Sequence, residues 1–99
     1  MKTEWWYESS LYDINGMVVL ARLTVRDDDT AEILTDGGEQ YEFASQDQAE
    51  IWLTDEEYYT LDMLYETFAE QGTPIDPRIK PPCASCDGDL LKQMVIKLG

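Results

Sequence analysis

Cys83 and Cys86, in the stretch PPCASCDGD, are the only two thiols of this 99-residue chain. Their C-x-x-C spacing suits three roles: half of a structural metal site, a redox dithiol, or an ordinary loop. A structural zinc site takes four ligands, usually Cys and His in pairs. The chain has one Cys pair and no His. Zinc at Cys83 and Cys86 would therefore need carboxylates, or a second copy sharing the ion in a homodimer. Redox use needs a first thiol of low pKa, helped by a helix N-terminus and positive neighbours. Cys86 precedes a predicted helix start, but Asp87 and Asp89 lie beside it and disfavour a thiolate. The reading that asks least is a loop with two thiols and no cofactor.

Other reactive groupings are sparse. Without His there is no Ser-His-Asp arrangement, and acid–base chemistry near neutral pH lacks its usual residue. Neither a phosphate-binding G-x-x-x-x-G-K-[ST] loop nor a dinucleotide G-x-G-x-x-G is present. Asp27-Asp28-Asp29 carries charge but not the spacing of a calcium loop, so it reads as a solvated turn. No carboxylate pair lies in an apolar run, where a raised pKa would arise. The expectation is a non-enzymatic protein.

Charge says more. There are 21 acids against 7 bases, a formal charge of −14. Sixteen acids and no base lie between Asp27 and Pro77, while Arg78, Lys80, Lys92 and Lys97 follow. Such a surface repels nucleic acid and anionic membranes and favours a basic protein partner. With 43% hydrophobic and 11% aromatic residues, the chain is not the composition of a disordered acidic segment. Adjacent Trp5 and Trp6 point to opposite faces of a strand. Trp5 is expected in the core and Trp6 on an interaction surface; Tyr59, next to Tyr58 on a predicted helix but off its core face, is a further interaction candidate. Leu90, Leu91 and Met94 form an apolar stripe on a predicted tail helix, a second candidate contact surface.

These residues need elements to position them. WWYESSLY (5–12) and MVVLARLTVR (17–26) read as strands, the second with period-two alternation and one buried face. Asn15-Gly16 between them tolerates positive φ and marks a hairpin. TAEILT (30–35) and EQYEFA (39–44) follow, separated by turns at 27–29 and 36–38. Ser45-x-x-Gln48 and Thr54-x-x-Glu57 fit capping boxes, predicting helices near 46–53 and 55–70. The longer one presents Tyr58, Leu61, Leu64, Tyr65 and Phe68 on one face and stops at Gly72. Four Pro in 73–86 exclude regular structure there. The expected fold is α+β: a four-stranded antiparallel meander, two helices packed on one face, an extended Pro-rich arm and a C-terminal helix. Residues 1–72 form the compact ββββαα domain and 73–99 the arm and tail. The expected core is Trp5, Tyr7, Val19, Leu23, Val25, Ile33, Tyr41, Phe43, Trp52, Leu61, Leu64, Tyr65 and Phe68.

The stretches WYESSLYDINGMVVLARLTV and FASQDQAEIWLTDEEY resemble small acidic proteins of unknown function found in cyanobacteria and other bacteria. The resemblance covers the first two-thirds of the chain and implies a cytoplasmic bacterial protein, with no activity or site residue to carry over. No apolar run approaches the roughly 18 residues of a membrane span, and the N-terminus lacks a signal-peptide apolar region. The expectation is an acidic interaction or adaptor module, monomer or homodimer. It has a basic protein partner, no direct nucleic acid and no membrane. The alternatives are a zinc or thiol-redox protein using Cys83 and Cys86, and a nucleic-acid mimic.

Overall fold

The strand at Met17–Val25 (β2) organises the molecule, because three others pair with it. The computed structural model describes residues 1–9, 16–74, 76–82 and 87–97. In chain order the first elements are β1 (Lys2–Glu8), β2, β3 (Ala31–Leu34), β4 (Gln40–Phe43) and α1 (Gln46–Asp55). They are followed by β5 (Tyr58–Thr60), α2 (Leu61–Glu70), α3 (Asp87–Gln93) and β6 (Val95–Lys97). The strand order is β4-β3-β2-β1-β5, with β6 pairing the start of β2, and every pairing is antiparallel. The expected antiparallel meander is present as β1 to β4, but β5 and β6 extend it to six strands where four were expected, and β1 runs Lys2–Glu8 rather than 5–12. Gly16 takes φ +64°, as the Asn-Gly signal requires; the rest of that hairpin loop lies outside the described residues.

The middle of β2 is buried on both faces rather than one. Val18, Val19, Leu20 and Ala21 are all inaccessible to solvent or nearly so. Val18 and Leu20 share a core with Tyr7 and Leu34, whereas Ala21 and Leu23 share another with Trp6, Ala31 and Ile33. Successive strand residues point to opposite faces, so the two cores lie on opposite sides of the sheet. α1 closes one through Ala49 and Leu53. α2 closes the other through Leu61 and Leu64, helped by Ile79 of the arm and by Leu90 and Met94 of the tail. The expectation of two helices on one face is therefore corrected: they sandwich the sheet.

The change of side happens at β5. The predicted 55–70 helix is two elements, because Glu57 adopts φ +64° and breaks the helical path. Residues 58–60 then pair with Trp6, Tyr7 and Glu8 along the free edge of β1. Tyr58 faces the α1 core and Leu61 the α2 core. Thr60, not Thr54, caps α2, its Oγ1 accepting from the Met63 N–H at 3.3 Å. Thr54 instead donates back to the Glu50 carbonyl at 2.9 Å. The Ser45 cap forms as expected, accepting from the Gln48 N–H at 3.2 Å. α2 ends in a Schellman motif: Gly72 takes φ +67°, its N–H bonds the Ala69 carbonyl, and the Thr73 N–H bonds the Phe68 carbonyl.

The tail also departs from expectation. Its helix stops at Gln93 and the β-branched pair Val95-Ile96 continues as β6 beside Met17–Val19. The Leu20 N–H donates to the Met94 carbonyl at 2.7 Å. The arm is fastened too, by the Tyr65 hydroxyl donating to the Ile79 carbonyl at 3.1 Å. Leu91 lies on the β3–β4 turn, where a Cβ at Gly38 would stand 3.3 Å from its Cδ1.

Candidate functional site

The residues with the strongest mutual arrangement are aromatic. β4 holds Tyr41 and Phe43 on the same side, opposite Ile33 and Ala31 of β3. α1 lays Trp52 over them, with ring centroids 4.9 Å from Tyr41 and 6.2 Å from Phe43. β5 adds Tyr58, whose ring stacks with Trp52 at 6.4 Å and 24°. Trp52, Tyr41 and Phe43 are half-buried and pack at the margin of the α1 core. Their faces carry the negative lobe of the ring quadrupole.

Four carboxylates act on these rings, from β1, the β3–β4 turn and the end of α1. Glu39 accepts a hydrogen bond from the Tyr41 hydroxyl. Tyr41 is held above its ordinary pKa by that bond first, then by burial and by the charges of Glu39 and Glu56. The Tyr58 hydroxyl is pushed up to about 12, by burial foremost and then by Glu8, Asp36, Glu56 and Tyr41. Glu56 acts on both tyrosines, so the rings and acids share one field. Glu8 is there because β1 pairs it with Tyr58, Asp36 because the β3–β4 turn ends beside β4, and Glu56 because it caps α1. Among the described residues the ion pairs engage Asp27, Glu4, Glu32, Glu42 and Asp76. Asp36, Glu39 and Glu56 have no ion pair among the described residues.

The sheet's other charged patch is self-contained. Arg26 clamps Glu42 with two bonds at 2.8 and 2.9 Å and also reaches Glu32 at 2.9 Å and Thr30 at 3.2 Å. The clamp raises the Arg26 pKa and lowers that of Glu42. Asp28 accepts from the Thr30 hydroxyl and N–H, which lowers its pKa and closes the turn at 27–29. This is the solvated turn the sequence predicts.

Several predicted interaction residues are placed elsewhere. Trp6 is 6% exposed and enters the α1 core, while Trp5 is only half-buried, the reverse of the expectation. The reason is space: Ala21, Ala31 and Ala49 leave room for an indole on that side. Leu90 and Met94 are buried, so the core consumes them, and Leu91 is half-buried against Gly38. Tyr59 is 40% exposed, beside Tyr7 at 6.4 Å. Cys83 and Cys86 lie outside the described residues. Among the described residues no group of three metal-ligating side chains comes together, and no helix is long and apolar enough to cross a membrane. The Tyr41–Trp52–Tyr58 grouping escapes a sequence reading, which assigns Tyr41 and Trp52 to the core. Its one sequence signal is the acids at turn and helix ends, Asp36, Glu39 and Glu56.

Comparisons of the chain with protein-family models, with curated proteins and with solved structures each find no match. The functional reading accordingly rests on the geometry.

Proposed function

We propose that this chain is a small binding module whose Tyr41–Trp52 face receives a cationic side chain from a basic protein partner. A guanidinium or ammonium over an aromatic face is attracted by the ring quadrupole, most strongly by Trp. The surrounding carboxylates offer charge-assisted hydrogen bonds to the same group. The observation that carries the reading is geometric: half-buried Trp52 lies 4.9 Å from the Tyr41 ring, the Tyr41 hydroxyl donates to Glu39, and neither Glu39 nor Glu56 has an ion pair among the described residues. The wider excess of acid, −14 overall, steers a basic partner toward the face and makes the encounter salt-dependent.

Calorimetric titration tests the reading. An arginine-rich octapeptide should bind, and its citrulline counterpart, equal in shape but uncharged, should not. Glu56→Gln should weaken binding about threefold, the value of one exposed charge pair. Equal binding of the two peptides removes the proposal.

A further inference from the structure

Three of the chain's seven bases, Arg78, Lys80 and Lys97, meet where the arm runs beside β6, Arg78 already paired with Asp76 at 2.7 Å. A groove of about 470 Å³ runs between Arg78, Lys80 and Pro81 of the arm and Val95, Ile96 and Lys97 of β6. Among the described residues no strand pairs with the other edge of β6. Because the Leu20 N–H donates to Met94 and Val18 pairs with Ile96, the antiparallel alternation bonds residues 94 and 96 to β2. It turns the N–H and C=O of Val95 and Lys97 outward. The outward carbonyl of Lys97 already accepts from Arg78 at 3.3 Å, which confirms the direction. The arm cannot zip onto this edge itself, since Pro77, Pro81 and Pro82 have no N–H to donate. Lys80 and Lys97 are exposed and make no ion pair among the described residues.

We propose that this groove takes an extended acidic peptide of a partner protein, added as a strand to the outer edge of β6. The edge supplies main-chain hydrogen bonds and the cations supply sign selectivity. A second copy of this chain fits less well. Its acidic runs at 27–29 and 55–57 are committed to turns and a helix end, so it has no spare extended acidic segment among the described residues. This surface is separate from the Tyr41–Trp52 face and opposite in charge, and either can stand without the other.

Fluorescence anisotropy with a labelled decapeptide of alternating Glu and Val is the test, on the full chain. The Glu–Val peptide should bind and its Lys–Val counterpart should not. Lys80→Gln, at an exposed position, should weaken binding about threefold. N-methylation of the peptide backbone should weaken it by about tenfold or more, because the peptide can no longer donate to the edge carbonyls and its methyl groups crowd the strand. The proposal is overturned by no binding at about 1 mM, weaker than a useful contact, or by affinity indifferent to Lys80→Gln. Affinity that N-methylation leaves unchanged also overturns it, as charge attraction without strand addition. A free chain whose sedimenting mass doubles with concentration, and whose doubling Lys80→Gln abolishes, assigns the edge to a second copy and overturns it too.

Discussion

Met94→Ala should be among the most destabilising single changes in this molecule. Met94 is 0% exposed and packs in the α2-side core with Val18, Leu20 and Leu64. Truncating a buried Met to Ala costs about 2–5 kcal/mol, the spread reflecting how far the surroundings collapse into the cavity. Collapse is restricted here. The Met94 carbonyl is bonded to the Leu20 N–H at 2.7 Å, and β6 continues on the β2 edge directly after it. The cost should therefore fall in the upper half, about 3–5 kcal/mol, out of a total that for small domains is about 5–15 kcal/mol. Urea unfolding followed by Trp fluorescence measures it. The midpoint should fall with the slope unchanged, since the folded surface is the same. The exposed Lys92→Ala should move stability by less than about 0.5 kcal/mol. A Met94→Ala loss below about 1 kcal/mol would refute the reasoning. It would mean that the tail rests on the body without completing its core.

Other consequences are as direct. Gly38→Ala meets two penalties, a φ of +84° and a Cβ 3.3 Å from Leu91 Cδ1, and should cost about 1–2 kcal/mol. Leu91→Ala should relieve the steric part, seen as coupling in a double-mutant cycle of urea melts. Glu57→Gly should stabilise by about 1 kcal/mol, because only the backbone conformation at φ +64° is relieved; unchanged or lower melting temperature contradicts this. Tyr58 titrates near 12 when folded against 10.0 ordinarily. Between those values the unfolded chain binds fewer protons, so its contribution is complete below pH 10 and is lost as pH rises toward 12. Absorbance titration of wild type against Tyr58→Phe checks the pKa, and melts across that range check the sign.

The meander was legible because its signals are local. Each turn has its own marker in Asn15-Gly16, Asp27–Asp29 or Gly37-Gly38, and β2 and β4 alternate in plain view. The two-sided burial of β2 was written in Val18–Ala21, a continuous apolar run of the kind covered on both faces. Where the helices go was not legible. Tyr58, Leu61, Leu64, Tyr65 and Phe68 keep helical spacing whether or not Tyr58 belongs to the helix. The decision lies in pairing with Trp6–Glu8, about fifty residues earlier. Trp5 against Trp6 turned on three alanines from three different elements. Val95 satisfies both a helical stripe and a strand, Ile96 only the strand, and the open end of β2 settles it. The acidic aromatic site combines Glu8, Asp36, Glu39 and Glu56 from distant turns and ends. No single window of sequence holds it.

The central claim is that Trp52 lies under the bound cation. The indole N–H resonance of Trp52, assigned by its loss in Trp52→Phe, is to be followed while the arginine-rich octapeptide is added. The account predicts a saturable shift of that resonance, absent with the citrulline peptide and weaker in Glu56→Gln, while the Trp6 indole in the core stays in place. A Trp52 resonance that does not move while the peptide binds would contradict it and place the basic partner on another part of the acidic surface.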